Sequence, residues 1–437
     1  MLQQVAPGRS ATWQSPIADK PATQAPEPGE ACSERSPWRP GGEAPGGTGG
    51  GFVNLVYFQG SVPSGAWHSQ AGGYFQESFK AGGIMTSQNA WLEQSDLFVS
   101  GMGGYHTYRI PALALTTRGT LLAFCEGRKY GRGDAGIIEL LLRRSTDGGL
   151  TWGDPQVVVA EEGMTCGNPC PVVDAEDGTI WLPFCKNLAE GDEGLIVQGK
   201  APRTVWLTKS TDDGQSWMEP IEITAAVKDP SWTWYATGPG HGIQLQTGRL
   251  LVPCDHIVGV AFHRQDPYHS HVIYSDDHGA TWRIGGIVEE GTNECAVVEL
   301  ADGSLYINCR NYRGEKRRAY ARSEDGGLSF TPRAWDDTLV EPICQAGMVG
   351  LPLGDGEVGI LFSNPASTER ERLTVRLSMD GGRTWPLARV LHEGSAAYSD
   401  LAVLPDGAIY CLYERGTQCP YERLTLARFN RAWLRGD

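Results

Sequence analysis

The sequence predicts an all-β protein: a six-bladed β-propeller over residues 91–437, preceded by a disordered N-terminal extension over residues 1–90. Three observations predict it: five copies of one polar turn motif, six copies of an apolar hairpin, and a Pro/Gly-rich start without aliphatic periodicity.

Residues 1–50 hold eight prolines and eight glycines and run into PGGTGGG at residues 45–51. Such a segment buries too little apolar surface to offset its ordering entropy. Residues 54–60, NLVYFQG, resemble imperfectly the recognition site of a viral protease used to remove expression tags. The folded part is expected to begin between residues 85 and 95.

The turn motif, S-x-D-x-G-x-[ST]-[WF], starts at Ser145, Ser210, Ser275, Ser323 and Ser378. Its aspartate can accept backbone N–H groups, its glycine tolerates positive φ, and its terminal aromatic can pack inward. That chemistry predicts a structural clasp in each copy. The six hairpins have turn glycines at Gly119, Gly178, Gly248, Gly303, Gly356 and Gly407, a period of 51 to 70 residues. Each reads as two apolar strand runs around a turn. With about four short strands per period and no helical pattern, six hairpins imply six blades.

The turn glycines also serve as origins for counting. Ten residues before Gly119 and Gly178 stand Arg109 and Asn168, and nine before Gly303 and Gly407 stand Glu294 and Tyr398. Seven after the same glycines come Glu126, Cys185, Arg310 and Glu414. Repeated hairpins present equivalent positions around one axis, so these offsets are expected to meet at one end of a central channel. Singly, each arginine would be read as a surface ion pair and Tyr398 as turn filling. Equivalent placement favours a site, because a core does not gather charges without a reason. Converging arginines suit a carboxylate, which a planar guanidinium binds in a bidentate, charge-assisted way. Arg370 and Arg372 add to Arg109 and Arg310, so a substrate with an obligatory carboxylate is expected.

Composition narrows the partners. A net charge of -15 argues against nucleic acid. No apolar run is long enough to span a membrane. The N-terminus MLQQVAPGRSATWQSP lacks the basic start and apolar centre of a secretory signal, which predicts a cytoplasmic location. Eleven scattered cysteines without a CxxC pair read as buried free thiols rather than a metal site.

YRIP at 108–111, CEGR ending at Arg128, the loop KYGRGDAG, the five aspartate motifs, TNECAVVEL and GSAAYSDL together resemble the exo-α-sialidases, the neuraminidase family of glycoside hydrolases. The resemblance covers about residues 95–435. It implies release of terminal sialic acids from oligosaccharides, glycoproteins or glycolipids, with no metal or organic cofactor. It implies that Arg109, Arg310 and Arg370 clamp the sialic acid carboxylate, with Arg370 chosen over Arg372 by its spacing to the next aspartate motif. Glu414 then orients Arg109, Arg128 lies near the sugar's O4, Asp134 is the general acid/base, Tyr398 the nucleophile and Glu294 its base. Sialidases with a tyrosine nucleophile depart from the carboxylate nucleophile of most retaining glycosidases. A neutral phenol avoids repulsion from the substrate's own carboxylate, and a base must then take its proton.

The family pattern is not matched throughout. Where animal cytosolic sialidases carry two tyrosines, this chain has Asp255 and Ile257, and the loop Lys186–Lys200 differs too. Asn168, His241 and Asp255 are placed at the rim of the site, with His241 equally readable as a core or turn histidine. Two competing expectations are a propeller that binds sialosides without cleaving them, and a relative that transfers the sugar, forms an anhydro product or prefers a deaminated sialic acid.

Overall fold

The computed structural model describes residues 89–261 and 268–437. Most of the extension predicted over residues 1–90 therefore lies outside the described residues. The described chain is all-β: strands run from Leu92–Val99 to Arg423–Phe429, and its helices, Glu193–Val197, Thr224–Val227 and Arg431–Arg435, are single turns.

All six expected hairpins form. Thr107–Leu115 pairs with Leu121–Arg128, Val172–Val173 with Ile180–Leu188, and Ile243–Gln244 with Leu250–Val258. Thr292–Glu299 pairs with Leu305–Asn311, Gly347–Gly354 with Glu357–Pro365, and Leu387–Val403 with Ile409–Arg415. The six turn glycines all have φ between 77° and 89°, the left-handed region a Cβ resists. The second and third hairpins begin with strands of only two residues. Pro169 and Pro171 have no N–H to give a ladder, which shortens the second hairpin's first strand.

A third antiparallel strand follows each hairpin: Ile138–Ser145, Arg203–Ser210, Tyr268–Ser275, Arg317–Ser323, Glu371–Ser378 and Arg423–Phe429. Five of these end on the serine that opens an aspartate motif. There the motif turns the chain into a fourth strand. The last set has no such motif, and its fourth strand is Leu92–Val99, from the start of the described chain. Long strands and crossovers join the sets into sheets of seven, nine, five and four strands.

The clasp is the same in each motif. The serine hydroxyl donates to the aspartate and accepts the glycine N–H four residues on, as Ser378 does with Asp380 and Gly382 at 2.8 Å each. The aspartate accepts the backbone N–H and hydroxyl of the next Ser or Thr, 2.9 and 2.6 Å for Thr384. Each carboxylate is used up by its own turn, so these motifs are structural. Between sets the core is apolar, for example where Leu121, Ala123 and Cys125 meet Leu412, Leu424 and Leu426. Burying one such leucine contributes roughly 1.5–3 kcal/mol. Nine cysteines among the described residues are free and buried. Among the described residues, no helix is long and apolar enough to cross a membrane.

Candidate active site

The residues found by counting from the turns sit at irregularities of the strands. Register shifts fall between Arg109 and Ala112, between Thr292 and Cys295, and between Ala396 and Ser399. A bulge breaks the alternation of a strand and re-aims one side chain, and here the side chains concerned are Arg109, Glu294 and Tyr398. Ile110 and Asn168, nine and ten residues before the turn glycines of the first two hairpins, have φ of 59° and 58°.

These bends bring the offset residues together. The Tyr398 hydroxyl donates a short hydrogen bond to Glu294 Oε1 and accepts one from Arg310 Nη1 at 2.9 Å. Arg310 Nη1 also donates to Glu294 Oε2 at 2.5 Å. Arg109 meets Glu414 through Nε at 3.0 Å and Nη2 at 3.4 Å. Glu414 further accepts the backbone N–H groups of Ile110 and Tyr398, 3.0 and 3.1 Å away. It therefore fixes both the arginine and the bulge that carries the tyrosine. The Arg109 and Arg370 guanidinium carbons lie 4.9 and 5.6 Å from the centre of the Tyr398 ring. Arg372, in contrast, is half exposed and turned to Glu393, 3.5 Å away.

On the first hairpin, Arg128 donates to Glu126 at 2.7 and 3.0 Å and to the carbonyls of Arg132 and Gly133. This holds the glycine-rich loop that carries Asp134, whose carboxylate ion-pairs with Arg128 at 2.8 Å and Arg109 at 3.2 Å. Glu126 also accepts the Asn168 N–H at 2.8 Å. The Asn168 side chain accepts from Arg203 at 2.6 Å.

The electrostatics follow from this crowding. Burial pushes the Tyr398 phenol well above its usual pKa and Glu294 pushes it further, against the pull of Arg310, Arg370 and Arg109. The phenol is therefore neutral near pH 7. For Asp134, neighbouring atoms raise the pKa, but Arg128 and Arg109 outweigh them and hold it well below the carboxylate range. The side chain is 62% exposed, and the arginines decide its charge.

The rim expectation for Asp255 is corrected. Asp255 is 0% exposed, so it does not reach a rim. Its strand is paired on both sides, and its Oδ1 accepts from Trp234 Nε1 at 2.9 Å and Asn293 Nδ2 at 2.8 Å. Burial first, and then Glu294, push its pKa well up. His241, readable as a rim or a core histidine, is 13% exposed and bound to Asp400 at 2.9 Å. Cys185 shares the matching offset but packs in the core. Counting from the turns misses Tyr421, which lies in the loop after Glu414 and touches two of the arginines, and Arg203, which opens a third strand.

The repeated hairpins and aspartate clasps define the class: the family model for the BNR repeat-like domain matches residues 119–411. A sialidase of Micromonospora viridifaciens is 38% identical over 363 residues, 78% of this chain and 54% of that protein. An exo-alpha-sialidase of Aspergillus fumigatus is 32% identical, over 79% of this chain and 89% of its own length. The solved structure of a Hadza microbial sialidase has a TM-score of 0.69 at 31% identity, covering 77% of this chain and 68% of that one. The chain belongs to the sialidase family. It spans only about half the length of the Micromonospora relative.

Proposed function

We propose that the protein is a retaining exo-α-sialidase acting through a tyrosyl-enzyme intermediate on sialylated oligosaccharides, glycoproteins or glycolipids. We further propose that its six strand sets surround one axis as the blades of a β-propeller, over a catalytic domain of residues 91–437. One observation carries the functional reading: the Tyr398 hydroxyl is bonded at once to the carboxylate of Glu294 and to Arg310, beside Arg109 and Arg370.

The chemistry then runs in two displacements. Arg109, Arg310 and Arg370 bind the substrate carboxylate and hold the anomeric carbon against Tyr398. Because Asp134 pairs with Arg109, the incoming carboxylate competes with it and frees it to take up a proton. The Tyr398 oxygen attacks the anomeric carbon and its proton passes to Glu294. Asp134 protonates the departing glycosidic oxygen as that bond breaks. In the second step Asp134 takes a proton from water, the water oxygen replaces Tyr398 on the sugar, and Glu294 returns its proton to the phenolate. The arginines stabilise the oxocarbenium-like transition state by holding the carboxylate beside it.

The test is turnover of a fluorogenic α-sialoside, with proton NMR of the first product. Release of the α-anomer supports the reading, and a first-formed β-anomer would rule out retention. Tyr398→Phe is expected to lower kcat by about 10³-fold or more, by removing the nucleophile, while sialic acid still binds. Wild-type turnover by that variant would remove Tyr398 from the mechanism.

A further inference from the structure

The three clamp arginines are held in different ways. Arg109 has Glu414 and Asp134, and Arg310 has Glu294. Arg370 donates instead to the Tyr421 hydroxyl at 2.6 Å and, more weakly, to the Ile343 carbonyl at 3.4 Å. Tyr421 reaches a second arginine as well, since the Arg109 guanidinium lies 4.3 Å from the centre of its ring. One phenol therefore joins an arginine of the first hairpin to one of the fifth strand set, through its edge and its face.

We propose that Tyr421 is a positioning residue that aims Arg370 and Arg109 at the substrate carboxylate; this rests on the reading of these arginines as a carboxylate clamp. A carboxylate in its place would fix the guanidinium but spend its charge. A neutral hydroxyl fixes the direction of Arg370 and leaves the positive charge for the ligand. The ring face holds Arg109 by a cation–π contact, which also leaves the edge donors of the guanidinium available. Tyr421 is itself anchored. Ser100 Oγ donates to its carbonyl at 2.7 Å, and the Ser100 N–H binds the Glu422 carbonyl at 2.9 Å. The Glu422 side chain in turn accepts N–H groups of Thr417 and Gln418 from the same turn.

The test uses Tyr421→Phe, which removes the hydroxyl but keeps the ring, and Tyr421→Leu, which removes both. KM and kcat are measured with the fluorogenic α-sialoside, and the dissociation constant of free sialic acid by calorimetry. Loss of a hydrogen bond to a charged group predicts a rise in both KM and that constant of about tenfold in Tyr421→Phe, with kcat within about twofold. Tyr421→Leu is expected to raise them further. In an Arg370→Ala background, Tyr421→Phe is expected to add little, because its effect runs through Arg370. A merely structural role would lower the amount of folded protein without moving KM. Unchanged KM and binding in Tyr421→Phe, over a competent wild type, would overturn the proposal alone, as would a full further loss in the Arg370→Ala background. Failure of the wild-type protein to bind sialic acid would remove the clamp reading and this proposal with it.

Discussion

Arg109 holds two carboxylates at once, Glu414 and Asp134, and only the first is buried behind it. The second must change charge if it is to act as an acid. Ion-paired to Arg128 and Arg109, Asp134 has its pKa held well below the usual carboxylate range. In the proposed mechanism a substrate carboxylate occupies Arg109, and that pairing then weakens and the pKa rises. A general acid loses its function as pH rises through its pKa. Because kcat/KM reports the free enzyme and kcat the complex, the alkaline limb of kcat is expected at higher pH than that of kcat/KM. Coincident limbs would show that Asp134 keeps its arginine partners throughout. Asp134→Asn should lower kcat strongly on a substrate with a poor leaving group, and far less on one whose leaving group is an acidic phenol. A pair of such substrates checks this directly.

At the scale of elements, the clasps make an acid-sensitive seam. The aspartates of the five motifs, Asp147, Asp212, Asp277, Asp325 and Asp380, have pKa values lowered to about 2. For Asp212 and Asp277 hydrogen bonds from their own turns are the largest cause, and for the others they outweigh the effect of burial. A carboxylate with a depressed folded pKa contributes stability that is fully present above its ordinary value near 3.8. That contribution is lost as pH falls toward 2. The melting temperature should therefore fall steeply between pH 4 and 2, and a flat profile there would contradict the clasp. Removing one clasp, as in Asp380→Ala, should cost about 1–2 kcal/mol by analogy with loss of a helix cap, read from chemical denaturation. The hairpins, clasps and matched offsets were legible in the sequence because turn chemistry and period leave marks in single residues. Glu294, Tyr398, Arg310 and Glu414 follow from them by counting. Asp255 was misplaced because depth depends on whether a strand is paired on both sides, which no local pattern records. Tyr421 was missed because it lies in a turn outside the repeat, where no offset points to it.

At the scale of the whole molecule, the two ends of the described chain share one strand set. Leu92–Val99 lies against Arg423–Phe429 along its whole length, with Leu92 opposite Phe429 and Val99 opposite Arg423. A variant beginning at Gly101 would uncover one side of the last strand and leave Leu424 and Leu426 without Leu97 and Phe98 in their shared core cluster. Exposed edges of this kind promote association. Such a variant is expected to be insoluble or unfolded, and a soluble variant with unchanged melting temperature would show that the first strand is dispensable.

That pairing also orders events in time. The first strand among the described residues, Leu92–Val99, waits for a partner more than 320 residues later in the chain, and the set it completes carries Tyr398 and Glu414. A chain that has not yet extended past Phe429 holds most of its described hairpins but lacks the pairing that completes the set around Tyr398. Contacts of such sequence separation form late and slowly. The seat of Tyr398 should therefore be among the last parts of the described fold to form.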